Sequence, residues 1–161
     1  MADFAEEIER FLSSFSPDEV EIMRRAFQAI LRGRPATVGE LPAATGLPPA
    51  EVRAAVERLT ERGAIVVEAE RGEITGARGL SLAKTAHCLT LGAGRRYTFC
   101  AVDAVGIPAA LGITATIESR CHHCETPLRL VVKDGGVIEA PQGTVIWAVE
   151  RDLTRSLRAY T

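Results

Sequence analysis

The 161-residue sequence has no run near the roughly 18 consecutive apolar residues that a bilayer-crossing helix needs. Its first residues, MADFAEEIERF, are acidic and amphipathic, whereas a secretion leader is basic and then apolar. A membrane partner is therefore not expected, and the sequence points to a cytosolic protein. Basic residues are not in excess either, and the net charge is −2. Residues 1–80 carry 14 Asp and Glu against 10 Lys and Arg, and residues 81–161 carry 7 against 9, so neither half advertises nucleic-acid binding through its field. Internal repeats, low-complexity tracts and obvious flexible linkers are missing. Aromatic residues make up only 5%, with a single tryptophan, Trp147, in a strand-like run where core is its ordinary use. Cysteine and histidine are few, four and three.

What is present is a chain with 47% hydrophobic and 25% charged residues, the balance of a globular protein able to bury a core. All four cysteines (Cys88, Cys100, Cys121, Cys124) lie within 37 consecutive residues, and the histidines (His87, His122, His123) fall in or beside the same stretch. In a reducing compartment such thiols read as metal ligands or nucleophiles rather than as a disulfide framework.

The first half reads as helices. Phe4, Ile8, Phe11, Leu12 and Phe15 have the spacing of a short docking helix. Ser16 caps a helix with Pro17 in its first turn that runs to about Leu31, where Gly33-Arg34-Pro35 stops it. Thr37 is expected to cap a shorter helix ending at Gly46. The segment AEVRAAVERLTERG forms a third, with Val52, Val56 and Leu59 inward and Gly63 at its end. Two strand-like runs around Glu70-Arg71-Gly72 form a hairpin. Helix, turn, helix and hairpin in that order predict a winged helix-turn-helix. Its last helix carries Glu51, Arg53, Glu57, Arg58, Glu61 and Arg62, three of each sign, whereas a groove-reading face is dominated by Arg, Lys, Asn and Gln. DNA is therefore not the expected partner, and a structural or dimerising use fits better.

From Leu80 the pattern alternates with period two and is punctuated by glycine. Residues 80–91, 95–102, 114–120, 127–135 and 144–151 read as strands, and AVDAVGIPAALG between them as a short helix or a buried turn. The fold class is α+β: an N-terminal winged helix-turn-helix packed on a mainly antiparallel sheet with short helices. The domains are residues 1–78, winged-helix-like, and 79–161, a β-rich core.

Two groupings can carry chemistry. A carboxylate three residues from a thiol, Asp103 after Cys100, lies within reach of it on one turn and can take or return its proton. The apolar neighbours Ala101, Val102, Ala104, Val105 and Ile107 exclude water and favour the protonated acid. The bland alternative makes Cys100 a buried small hydrophobe and Asp103 a helix cap. The second grouping is Cys121-His122-His123-Cys124, a Cys-x-x-Cys turn that presents two sulfurs to a soft metal, with nitrogen from either histidine. A complete zinc site needs more ligands than this turn supplies, and a redox dithiol lacks its usual strand-then-helix context. His87 and Cys88 are adjacent in one strand and point to opposite faces, so at most one of them faces the site of Cys100.

With these residues in view, the chain resembles the alkylmercury (organomercurial) lyases. GRPATVGELPAATGLPPAEVRAAVERL is similar to that family's N-terminal segment. GLSLAKTAHCLTLGAGRRYTFCAVDAVGIPAALGITATIESRC is similar to its signature, with Thr85, His87, Tyr97, Cys100, Ala101, Asp103, Pro108, Leu111 and Gly112 in register. The resemblance implies protonolysis of a carbon–mercury bond, giving a hydrocarbon and Hg(II), with no cofactor required. It makes Cys100 the mercury-binding thiolate and Asp103 the proton shuttle. It also implies a small organomercurial substrate, and low-molecular-weight thiols or a mercury-accepting protein to take the product. The family's second catalytic cysteine falls at or just beyond Thr161, which implies either a fragment of a lyase or a divergent member; Cys124, an addition to the pattern, is the candidate replacement. The metal-binding set is then Cys100, Cys121 and Cys124, with His122 and His123 as further donors and zinc as an alternative occupant. From another class, the competing reading is a non-catalytic soft-metal binding or sensing protein on the same scaffold, its winged helix touching DNA.

Overall fold

The computed structural model describes residues 13–92 and 94–146. Ser16 begins the first helix that lies wholly within the described residues, α1 (Pro17–Leu31), with a reciprocal cap: its hydroxyl accepts from the Glu19 amide and the Glu19 carboxylate accepts from the Ser16 amide. Proline at the first helical position suits a site where no intrahelical N–H bond is possible. Ile22, Met23, Ala26, Ala29 and Ile30 recur at helical spacing and are buried. The chain then pairs briefly as β1 (Ala36–Thr37), makes a 3-10 turn (Val38–Glu40) and enters α2 (Leu41–Thr45), which ends at Gly46 in the left-handed region (φ 77°). The expected Thr37 side-chain cap does not form, because the backbone of Thr37 is paired with Glu73 in the sheet. Helix α3 (Pro49–Glu61) buries Val52, Ala55, Val56 and Leu59.

The expected hairpin follows as β2 (Ile65–Glu68) and β3 (Glu73–Ala77), antiparallel with one register shift. Residues 80–91 do not form one strand. Leu80–Ser81 (β4) and His87–Leu91 (β5) flank β6 (Gly94–Thr98) on either side, and residues 82–86 pass across it. Ser81 makes the break: its hydroxyl bonds both the amide and the carbonyl of Ala83, an alternative to the ladder. The strand expected over 95–102 stops at Thr98, and the ambiguous apolar stretch is helix α4 (Ala101–Leu111), closed by Gly112 at φ 63°. Strands β7 (Ala115–Arg120), β8 (Pro127–Lys133) and the unanticipated β9 (Gly136–Glu139) complete the sheet. Its order is β1-β3-β4-β6-β5-β7-β8-β9, with β2 beside β3, and every pairing is antiparallel. The sheet runs unbroken across residue 78. Most of the docking helix read over residues 3–15, together with Trp147 and most of the strand read over 144–151, lies outside the described residues; Thr144, Val145 and Ile146 are not in a strand.

Two apolar clusters hold the fold. One packs α1, α2 and α3 on β2, β3 and β4, with Ile22, Ile30, Val52, Leu59, Ile65, Ile74 and Leu80 nearly or wholly inaccessible. The other packs α4 on β5, β7 and β8 through Leu89, Ala104, Ile117, Leu130 and Val132. Each such aliphatic side chain contributes about 1.5–3 kcal/mol by leaving water. Between the clusters, buried Arg96 on β6 reaches the end of α1, where Nε donates to the Ile30 carbonyl (2.7 Å) and Nη2 to the Leu31 carbonyl (3.1 Å). Gly33 leaves that guanidinium its room, since a Cβ there would overlap it. Among the described residues no helix is long and apolar enough to cross a membrane.

Candidate active site

At the end of the sheet formed by the start of β5 and the ends of β6 and β7 lie the candidate residues Cys100 and Asp103. Beyond Thr98 the chain turns from strand to helix, and the extended backbone of Cys100 (φ −145°, ψ 171°) makes it the N-cap of α4. This places its sulfur against the amides of the first helical turn, where Asp103 N–H reaches Sγ at 3.4 Å. In the same turn the Cys100 thiol donates to Asp103 Oδ2 at 3.0 Å. The bland alternative differs here: Cys100, not Asp103, is the cap, and its thiol holds a proton against the Asp103 carboxylate.

Competing influences set the ionisation of Cys100. Burial, first, and then the hydrogen bond and charge of Asp103 push its thiol up from its ordinary value, while the amides of Asp103 and Val102 pull the other way. The upward influences prevail, so the thiol keeps its proton at neutral pH, aimed at Oδ2. Asp103 is half-buried, and Gly79 (φ 83°) on the β3–β4 turn stands against its carboxylate. Any Cβ at Gly79 would overlap the Asp103 carboxyl group, so the missing side chain is what admits it. The turn is tied to the strand before α4 by Phe99 N–H to the Gly79 carbonyl, 2.9 Å.

Of the adjacent pair on β5, His87 is the residue whose ring feels Asp103. Burial lowers its pKa, with Asp103 opposing, so the imidazole is neutral at pH 7. Its Nδ1 lies 2.8 Å from Ser119 Oγ on β7, a partner 32 residues away that the sequence did not signal. Thr85 fixes the start of β5, donating to the Thr98 carbonyl (2.7 Å) and accepting from the His87 amide (3.2 Å).

Cys88 points to the other face and lines a cavity of about 560 Å3 with Lys84, Arg95, Tyr97, Glu118 and Arg129 among its walls; neither Cys100 nor Asp103 lines it. Thr85 and Ser119, the two hydroxyl partners of His87, do line it. Cys121 is half-buried and Cys124 exposed on the β7–β8 connection, with His122 and His123 also exposed. Hydrogen bonds from Thr126, first, and from Cys121 hold the Cys124 thiol below its ordinary value. Among the described residues no three His, Cys, Asp or Glu side chains are grouped to hold a metal, so Cys100, Cys121 and Cys124 do not form one donor cluster, and zinc finds no ligand set.

The profile of the alkylmercury lyase family matches residues 80–161, the half that holds this arrangement. An alkylmercury lyase of Streptomyces lividans is 35% identical over 138 residues, 85% of this chain and 62% of the relative. One of Staphylococcus epidermidis is 30% identical over 151 residues, 91% of this chain and 68% of the relative. The chain spans about three fifths of the length of several curated relatives it matches. A crystal structure described as the mercury-bound form of MerB2 superposes with a TM-score of 0.87 at 31% identity, over 93% of this chain and 73% of the other. With the family profile, the relatives and the fold in agreement, the chain belongs to the alkylmercury lyase family.

Proposed function

We propose that the protein cleaves the carbon–mercury bond of an organomercurial by protonolysis, with Cys100 as the mercury-binding thiolate and Asp103 as the proton carrier. The observation that carries this reading is the 3.0 Å contact from the Cys100 thiol to Asp103 Oδ2, inside the reach required of a general base. As an organomercurial approaches, the thiol proton passes to Oδ2, the sulfur bonds mercury, and the ion's previous anionic ligand departs. The protonated carboxyl group then gives the same proton to the carbon on mercury. The carbon–mercury bond breaks, its electron pair goes to the new C–H bond, and a hydrocarbon leaves. Hg(II) stays on sulfur beside the regenerated carboxylate, whose charge offsets the one the metal has gained. Soft sulfur suits mercury, and its electron density weakens the bond to carbon. The neutral His87 ring brings no cation to compete for the carboxylate.

The helical half we read as a winged helix in structural use. Supporting this, Arg58 of α3 binds buried Glu19 (2.9 Å), and Arg62 binds Ser14 and stacks on Phe15. Two of the three arginines that would meet phosphates are thus engaged within the chain, and no observation favours the sensing alternative. The deciding experiment incubates the protein with an arylmercurial and an excess of small thiol and measures the arene. Release well above a Cys100→Ser control is expected, and release equal to that control would overturn the reading.

A further inference from the structure

Apart from the reacting pair, the β7–β8 hairpin carries two more sulfurs in a constrained loop. Residues 121–126 are closed by two main-chain hydrogen bonds of 2.9 Å, Cys121 N–H to the Thr126 carbonyl and Glu125 N–H to the Cys121 carbonyl. Glu125 at φ 57° reverses the chain. Cys124 Sγ lies 3.2 Å from Thr126 Oγ1, and the closure of the turn keeps Cys121 and Cys124 within one reversal of the chain. The loop starts near the reacting groups. Ser119, which touches the His87 ring, precedes Cys121 by two residues, roughly 7 Å along a strand.

We infer that Cys121 and Cys124 form a second, two-thiolate site for Hg(II), separate from Cys100. The donor set selects the ion. Zinc asks for four ligands, and His122 and His123 do not converge with the sulfurs into a group of three donors. Hg(II) is soft and is satisfied by two thiolates, the number this turn holds. Binding needs no oxidant: two S–H bonds give way to two S–Hg bonds, and two protons go to solvent. The loop can also receive the metal from the reacting centre. The Cys124 sulfur bonds mercury as the bond to Cys100 breaks, and the proton Cys124 loses is made good on Cys100. That second use rests on the lyase reading; binding of inorganic Hg(II) does not.

The test uses the Cys88→Ser, Cys100→Ser protein, whose remaining thiols are Cys121 and Cys124. It is titrated with mercuric chloride alone, followed by near-ultraviolet sulfur-to-mercury absorption and by proton release, and the affinity is then set by adding a competing small thiol. One Hg(II) per chain with two protons released is expected. Adding Cys124→Ser should lower affinity by about 10²-fold or more, because the second sulfur acts at high effective concentration. An unchanged affinity, or displacement of mercury by about a tenfold excess of zinc, would overturn the site. Should the double variant misfold, Cys124→Ser alone in the parent must lower the Hg(II) capacity by one, and an unchanged capacity is equally fatal. Arene release from an arylmercurial is followed separately in the parent. Its absence removes the lyase reading and leaves the titration to decide the site, whereas release with mercury recovered only on the Cys100 peptide removes the receiving role.

Discussion

Replacing Asp103 with asparagine keeps the volume of the α4 first turn and removes one negative charge and the proton acceptor. Two of the influences that push the Cys100 thiol up are the hydrogen bond and the charge of Asp103. With both gone and only burial left to oppose the turn's amides, the thiol must titrate at lower pH than in the parent. Mercury capture by Cys100 therefore stays as fast or becomes faster. Cleavage does not, because no group 3.0 Å from the sulfur can store the proton and return it to carbon. A positioned general acid–base contributes about 10²–10⁴ in rate, or roughly 3–5 kcal/mol of barrier, and arene release in a single turnover should fall by that factor. The assay mixes excess protein with an arylmercurial, quenches at intervals, and measures arene by chromatography and mercurial on the Cys100 peptide by mass spectrometry. In parallel, the pH dependence of Cys100 alkylation reports its ionisation. Arene release within about threefold of the parent, or a Cys100 thiol that titrates at higher pH in the variant, would refute the shared-proton argument.

The same frame gives three further expectations. Gly79→Ala puts a Cβ into the Asp103 carboxyl group at a left-handed backbone position; it should cost about 1–2 kcal/mol in urea unfolding and slow arene release more than mercury capture, and equal slowing of both would count against the positioning role. His87, whose folded pKa lies below its ordinary 6.5, contributes stability that is complete above about pH 6.5 and is lost as pH falls through the folded value, because the unfolded chain takes up the proton first. Urea midpoints should decline below that pH in the parent and decline less in His87→Gln. Glu19→Ala removes the carboxylate half of the reciprocal cap of α1 and the ion pair with Arg58, while the Ser16 hydroxyl keeps the amide of residue 19. Because Arg58 is 54% exposed, most of the loss is that one hydrogen bond, about 0.5–1.5 kcal/mol, read by calorimetry as roughly 1–6 °C in Tm.

The sequence was most legible where the determinants are local. The Ser16 cap, the stop at Gly33, the inward face of Val52, Val56 and Leu59, and the Cys100–Asp103 pair depend on neighbours within one or two turns. Helix α4 resisted a single reading because it is apolar on most sides and carries Gly106 and Pro108 near its middle, so periodicity has little to mark. The break at residues 82–86 hid behind a good alternating pattern, since Ser81 and Thr85 turn their hydroxyls to the main chain where the pattern shows only polar residues. Strand β9 was passed over as the tail of a glycine turn. Long-range partners left no trace. Ser119 beside His87, Gly79 beneath Asp103 and Arg96 at the end of α1 are made by topology. For Arg96 one signal was available: strand alternation puts it in phase with buried Thr98, an inward position where a charge must have a partner.

The clamp made by Arg96 ties events at the two ends of the molecule together. If the last turn of α1 frays, a buried guanidinium loses two carbonyl acceptors, a state that costs several kcal/mol, so α1 and the central strand β6 open together. Strand β6 leads through Phe99 directly into Cys100. A ligand on that cysteine that binds only the folded chain suppresses this shared opening, by about 2.7 kcal/mol when present at 100 times its dissociation constant. Amide hydrogens of Ile22 and Ile30 should therefore exchange more slowly under such a ligand, and less so under mercury, which the Cys100 thiol also holds in the unfolded chain, although both residues lie in the other apolar cluster.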